Sequence, residues 1–262
     1  MVNRPVAGTV LWDFDGTLGH RRHGTWADCL LEVLDRHHPD HAWKFSDLYD
    51  ALATGFPWHH ADKPHPQLAD PDQWWAHTTT VIHRALTGLG IDHDTAAAAA
   101  HATRGAYTDA STWSLYPHAL QVLDTLGAAG WQHVLVSNHV PELPTILAAT
   151  ELAPRLAAVV NSAATGYEKP HPQAFRLAHQ AAAATGRVWM VGDNPNADVA
   201  GARVAGVDAI WVRCPNPADT PDLRAVLRLI LDQAAPARET ATRVWEIPPV
   251  TADATRRTVR IG

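Results

Sequence analysis

Residues 6–17 read VAGTVLWDFDGT. Residues 6–12 are short, rich in β-branched side chains and bounded by Gly8 and Asp13, the pattern of a buried strand whose carboxyl end delivers Asp13-Phe14-Asp15-Gly16-Thr17. Carboxylates two residues apart on extended chain share a face, so Asp13 and Asp15 reach the same space. The theme recurs at 131–136, running into Ser137-Asn138, at 156–160, at 187–191, running into Gly192-Asp193, and at 209–212, running into Arg213. Helical patterns separate these strands: 118–128 closed by Gly130, 141–150, 172–184 closed by Gly186, and 197–204 closed by Gly206. Such alternation predicts right-handed βαβ units, an α/β class and a doubly wound, Rossmann-like parallel sheet that binds ligands beyond the carboxyl ends of its strands.

Between residues 18 and 115 the rhythm breaks. Helical patterns at 26–36, 45–54, 71–89 and 95–106 surround a Pro/His-rich loop at 55–70, and no strand pattern stands out. The expected organisation is a core of residues 1–17 and 116–235, a helical domain of residues 18–115 inserted after the first strand, and a C-terminal extension of residues 236–262. That extension, with Pro248-Pro249 and one Val244-Trp245 pair, reads as an extra edge segment or a poorly ordered tail. The insertion holds 6 of the 11 Trp and 12 of the 17 His. Two uses fit the tryptophans: a stacking pocket for a sugar, nucleoside or aromatic group, or the filling of the insertion's own core. His59-His60 and His65 lack a helical pairing with a carboxylate and read as a solvated loop rather than a metal site. The alanines at 96–100 read as helix filler.

Composition narrows the class. Hydrophobic residues at 46% supply a packed interior, which excludes global disorder. With 21 basic against 27 acidic residues and no Lys/Arg-rich run, nucleic acid is not expected as a partner. No apolar stretch approaches the ~20 residues of a membrane span, and the N-terminus lacks the apolar run and cleavage site of a secretory leader, so no membrane partner and a cytoplasmic location are expected. Cys29 and Cys214 stand far apart, without metal-ligand spacing, as reduced structural thiols.

Three strand ends and one loop carry the chemistry: Asp13 and Asp15, then Ser137-Asn138, then Asp193, with Lys169 in Gly166-Tyr167-Glu168-Lys169-Pro170 entering a helix. Their order resembles the haloacid dehalogenase (HAD) superfamily, which carries Asp-x-Asp-Gly-Thr after strand one, Ser/Thr-Asn after a middle strand, Lys-Pro before a helix and Gly-Asp-x-x-x-x-Asp near the end. All four are met in register over residues 6–213, the last as Gly192-Asp193-Asn194-Pro195-Asn196-Ala197-Asp198. The resemblance implies a phosphatase-type hydrolase with the insertion as a helical C1 cap. It implies Asp13 as nucleophile, forming an aspartyl-phosphate, and Asp15 as general acid and base. It also implies Mg²⁺ held by Asp13, Asp193 and the carbonyl of Asp15. Thr17, Ser137, Asn138 and Lys169 would bind the phosphoryl group, and Asp198 would hold Lys169 or a metal-bound water.

Within that superfamily, dehalogenases carry Tyr and phosphonate hydrolases Ala where Asp15 stands, so the expected reaction is hydrolysis of a small phosphorylated metabolite, by a monomer or homodimer. The alternatives are a phosphosugar mutase and a non-catalytic HAD scaffold serving as a binding module. Mutases place Asp and His five and ten residues past the acid, where this chain has His20 and Thr25, and a binding module is expected to lose the nucleophile or the lysine. Gly19-His20 also departs from the usual apolar-Asp continuation. Next to the site, His20, Arg21 and Arg22 are candidates for specificity, the arginines for a second phosphate or a carboxylate on the substrate.

Overall fold

The computed structural model describes residues 6–22, 24–182, 186–213 and 222–234. Its centre is a parallel sheet of five strands, ordered β5-β4-β1-β6-β7. Two further strands, β2 (Gly19–Arg21) and β3 (Trp113–Leu115), pair with each other; the sheet itself comprises β1 (Gly8–Trp12), β4 (Trp131–Ser137), β5 (Ala158–Asn161), β6 (Arg187–Gly192) and β7 (Asp208–Trp211). Each central strand is buried on both faces and divides its side chains between them with the period of two that pleating imposes. Val10, Trp12, Leu135, Trp189 and Val191 enter one cluster, while Leu11, Val134, Val136 and Met190 enter the other.

The insertion supplies α1 (Trp26–His37), α2 (Phe45–Ala51), α3 (Pro71–Gly88) and α4 (His93–Thr108). The core supplies α5 (Ala119–Ala128), α6 (Leu143–Ala149), α7 (Ser162–Thr165), α8 (Pro172–Ala181), α9 (Gly201–Val204) and α10 (Leu223–Ala234). Leu123 and Leu126 of α5, Ile146 of α6 and Val226 and Ile230 of α10 cover the first face of the sheet. Phe175 and Ala178 of α8 and Ala202 of α9 cover the second, which makes the sheet doubly wound. With β1 central and its neighbours reached in opposite directions along the chain, the carboxyl end of β1 lies where such sheets open a crevice.

Helices α1–α4 bury a core of their own around Leu30, Leu34, Leu48, Ile82 and Leu86. Asp70 caps α3 by accepting from the amides of Asp72 and Gln73, and Pro71 takes the first position, where no amide is needed. The alanines of α4 do more than fill a helix: Ala96, Ala99 and Ala100, at i, i+3 and i+4, are buried against α1 and α3, where their small side chains permit close approach.

Three features differ from the sequence reading. The insertion does contain strands, β2 and β3, which form an antiparallel ribbon where the chain leaves and re-enters the core. At three residues each, with no alternation, they are set by tertiary pairing rather than by local pattern. The α10 helix was not anticipated, although Leu223, Val226 and Ile230 recur with helical spacing. The helix expected at 197–204 begins earlier, as a π-turn at Pro195–Ala200 capped by Asn194. Cys29 is buried, which pushes its thiol up to about 12 and leaves it inert at neutral pH. Cys214 and the extension at 236–262 lie outside the described residues. No helix among those described is long and apolar enough to cross a membrane.

Candidate active site

β1 ends in a tight loop. The carbonyl of Phe14 accepts from the amides of Thr17, Leu18 and Gly19, which folds the chain back on itself, and Gly16 takes φ 85°, where an added Cβ would collide with the Asp193 carboxylate. This close approach brings the ends of β1 and β6 together. Thr17 Oγ1 lies 3.4 Å from both Asp13 Oδ2 and Asp193 Oδ1. From β4, Ser137 Oγ donates to Asp13 Oδ1 at 3.0 Å.

Lys169 completes the group. Its Nζ donates to Asp13 Oδ1 at 2.7 Å and to Asp198 Oδ1 at 2.6 Å, and the side chain is only 3% exposed. Burial works against the ammonium, but Asp13 and Asp198 outweigh it and hold the group protonated well above the ordinary lysine range. Asp198 accepts from the Asn194 amide through its other oxygen, so both of its oxygens are engaged. Asn138 was expected among the phosphate-binding residues; it spends both ends of its amide on the Lys169 backbone, accepting from the Lys169 N–H at 2.7 Å and donating to the Lys169 carbonyl at 2.9 Å. It therefore clamps the lysine loop.

Four carboxylates converge here against one ammonium. Burial, followed by Asp13 and Asp198, pushes the Asp193 carboxyl up; burial also pushes Asp198 up, against Lys169. Asp15 is exposed by area, yet protein surrounds it, and that burial, followed by Asp13, pushes its carboxyl up to about 7. Its contact with water works against that rise. Oxygens of Asp13, Asp193 and Asp198 lie within 4.8 Å of one another. This hard, anionic, all-oxygen donor set fits a divalent cation such as Mg²⁺, with Asp13 and Asp193 the carboxylates left open to it.

A sequence model of haloacid dehalogenase-like hydrolases matches residues 7–206, a span that includes every one of these side chains. The chain belongs to this hydrolase family. Among curated proteins, it is 32% identical over 227 residues to a phosphoserine phosphatase of Thermus thermophilus, covering 84% of this chain and 88% of that one. It is 25% identical to haloacid dehalogenase-like hydrolase domain-containing protein 3 of Bos taurus, covering 84% and 87%. The solved structures that share the fold include these two. One is the putative HAD-hydrolase YfnB of Bacillus subtilis, bound to magnesium (TM-score 0.63, 19% identity, 87% of this chain and 99% of that one). The other is L-2-haloacid dehalogenase of Xanthobacter autotrophicus (0.57, 21%, 85% and 87%).

The three residues proposed for specificity are engaged within the chain. Arg21 is buried and forms a bidentate pair with Glu32, at 2.8 and 3.3 Å. Arg22 donates to the Ser111 carbonyl. His20 packs on the Tyr116 ring, with centroids 4.6 Å apart. The tryptophans mostly pack: Trp74, Trp75 and Trp113 are buried, and Trp26 stacks on Tyr107 at 3.8 Å. His65 and His60 meet through a backbone carbonyl, and no histidine joins a metal-type cluster among the described residues.

Several residues at the site, or at the junction of core and insertion, went unnoticed in the sequence of this hydrolase. Glu142, at the start of α6, accepts from Trp75 Nε1 at 3.0 Å and from Arg104 Nε and Nη2 at 3.1 and 2.9 Å, tying the insertion to the core. The His65 amide donates to the Gly166 carbonyl at 2.7 Å, a second tie just before Lys169. His139 is buried beside Phe14 and Trp113, and burial pushes its imidazole down to about 4, so it is neutral at pH 7. Arg213 was visible only as the residue following a strand, although that position lies on the edge of the sheet where ligands bind.

Proposed function

We propose that this hydrolase is a Mg²⁺-dependent phosphatase acting on a small phosphomonoester through an aspartyl-phosphate on Asp13. The observation that carries the reading is Asp13 pinned through one oxygen by both Lys169 and Ser137, with Asp15, two residues later, exposed to solvent. Two hydrogen bonds to Oδ1 fix the rotation of the nucleophile, as near-attack geometry requires. An oxygen of Asp13 attacks phosphorus while Asp15 gives its proton to the departing alkoxide, and the alcohol leaves. Asp15, now a carboxylate, then takes a proton from water as the water oxygen attacks the same phosphorus. The Asp13 carboxylate is released together with inorganic phosphate. An acid pushed up to about 7 suits both directions of transfer near neutral pH.

The third N–H of Lys169 donates to a phosphoryl oxygen while Ser137, its one proton given to Asp13, holds the nucleophile, and Asn138 and Asp198 hold Lys169 in place from either end. Asp13, Asp193 and the Asp15 carbonyl would hold Mg²⁺, whose charge offsets the repulsion between the carboxylates and a phosphate dianion. The helical insertion acts as a cap that excludes water and reads the leaving group.

The likeness to a phosphoserine phosphatase supports a small phosphorylated substrate, and the carboxyl at Asp15 is the group that the resemblance to the HAD motifs associates with phosphate-ester hydrolysis. The test is release of inorganic phosphate across a panel of amino-acid, sugar, nucleotide and acid phosphates with Mg²⁺, run beside halide release from 2-haloacids. Phosphate without halide is expected. Halide release alone would replace this reading with dehalogenation, and an isomerised sugar phosphate without free phosphate would replace it with mutase chemistry.

A further inference from the structure

One cation at the carboxyl edge of the sheet takes no part in the chemistry above. Beyond β7 the Val212 amide extends the ladder by donating to the Gly192 carbonyl at 3.0 Å, and Arg213 then turns with φ 53°, a left-handed backbone that residues other than glycine rarely adopt. The Arg213 guanidinium carbon lies 3.1 Å from the centroid of the Tyr116 ring, and its Nη2 donates to the Thr17 carbonyl at 3.4 Å. Thr17 is the residue whose hydroxyl reaches Asp13 and Asp193, and Tyr116 follows the ribbon that joins insertion to core. The guanidinium therefore sits on the rim between the hydrolytic centre and the insertion.

The nearby arginines are otherwise committed, Arg21 to Glu32 and Arg22 to a carbonyl. Arg213 is exposed, and among the described residues no carboxylate stands within ion-pair distance of it. A guanidinium laid on an aromatic ring loses little freedom when it binds, and its donors project at the edge of its plane in the fork that matches a carboxylate.

We propose that Arg213, stacked on Tyr116, reads a carboxylate on the leaving-group portion of the substrate. One guanidinium beside a strongly acidic centre matches a monoanion better than a second phosphate dianion. The inference rests on the phosphatase reading and narrows its substrate class to carboxylated phosphomonoesters.

Two matched pairs test it, each differing by the carboxylate: O-phosphoserine against O-phosphoethanolamine, and 3-phosphoglycerate against glycerol 3-phosphate. The wild-type protein is expected to favour the carboxylated member of at least one pair in kcat/KM by about ten- to a hundredfold, the range of a charge-assisted bidentate contact. Arg213→Gln and Arg213→Ala should bring that ratio close to one, and Arg213→Lys should leave it intermediate. Melting temperatures of the three variants separate selectivity from misfolding, and the ratio cancels any general loss of active protein. A wild-type ratio near one, or a ratio unchanged by Arg213→Gln, overturns the inference while phosphate release from p-nitrophenyl phosphate keeps the phosphatase reading. Failure to hydrolyse p-nitrophenyl phosphate or any of the four esters overturns both.

Discussion

Replacing Lys169 with Met removes one buried ammonium and leaves two buried carboxylates facing each other. At separations of 2.7 and 2.6 Å, each ion pair is worth about 6 kcal/mol before desolvation at an effective dielectric near 20. Much of that is offset because the ammonium itself no longer has to be stripped of water, and breaking one side of a buried pair costs about 3–5 kcal/mol net. Urea unfolding in the presence of a chelator, at pH 8 and at pH 5, reads the deficit. Lys169 has a raised folded pKa, so its own contribution is complete at every pH below the ordinary lysine value and does not change between 8 and 5. Asp198, by contrast, sits above the ordinary carboxylate value even with the ammonium present. A carboxyl raised in the folded state costs stability above its unfolded pKa, and the cost fades as pH falls through the raised value. The variant should therefore lose about 3–5 kcal/mol at pH 8 and regain a large part of it at pH 5. A deficit below about 1 kcal/mol at pH 8, or one equally large at both pH values, refutes the charged triad of Asp13, Lys169 and Asp198.

Other consequences are open to simpler assays. Asp13→Asn should abolish phosphate release while calorimetry still detects phosphate binding, because the amide keeps the shape but cannot form an acyl-phosphate. Asp15→Asn should harm alkyl esters far more than p-nitrophenyl phosphate, because burial, followed by Asp13, pushes the Asp15 carboxyl up and favours the protonated form that an alkoxide needs; equal losses on both would deny Asp15 the acid role. Added Mg²⁺ should raise the melting temperature of the wild type, and raise it less in Asp193→Asn, since a cation offsets the burial and the repulsion from Asp13 and Asp198 that push the Asp193 carboxyl up. Glu142→Ala should cost about 1–2 kcal/mol and shift Trp75 fluorescence, a modest figure because Arg104 is partly exposed; an unmoved spectrum would mean the tie to the insertion does not persist in solution.

The sheet was legible because its strands announce themselves locally: each is a short apolar run whose last residues turn polar, as in Trp12 to Asp13 and Val136 to Ser137. The polar strand ends at Asp13, Ser137 and Asp193 joined Lys169, from the loop entering a helix, in one reading through their resemblance to the HAD motifs, and the fold sets the four side by side. What sequence could not supply were pairings made across long separations. Nothing near Arg21 says that Glu32 will meet it, nor does Arg213 reveal that Tyr116 lies beneath it. Gly19–Arg21 is too short and too polar to show a strand, yet its ribbon with Trp113–Leu115 is what sets Arg21 against α1. Asn138 reads as a phosphate ligand by its place after Ser137; only the packed loop shows its amide spent on the Lys169 backbone.

Covalent phosphorylation of Asp13 during turnover can be trapped chemically. Enzyme turning over a hydrolysable phosphomonoester with Mg²⁺ is quenched rapidly, reduced with borohydride and digested, and the peptide containing Asp13 is sequenced by mass spectrometry. An acyl-phosphate at this position is reduced to homoserine, and homoserine at residue 13, dependent on substrate and absent from Asp13→Asn, is the predicted result. Steady phosphate release with Asp13 recovered unmodified at every quench time, or homoserine at Asp15 or Asp193 instead, contradicts the account.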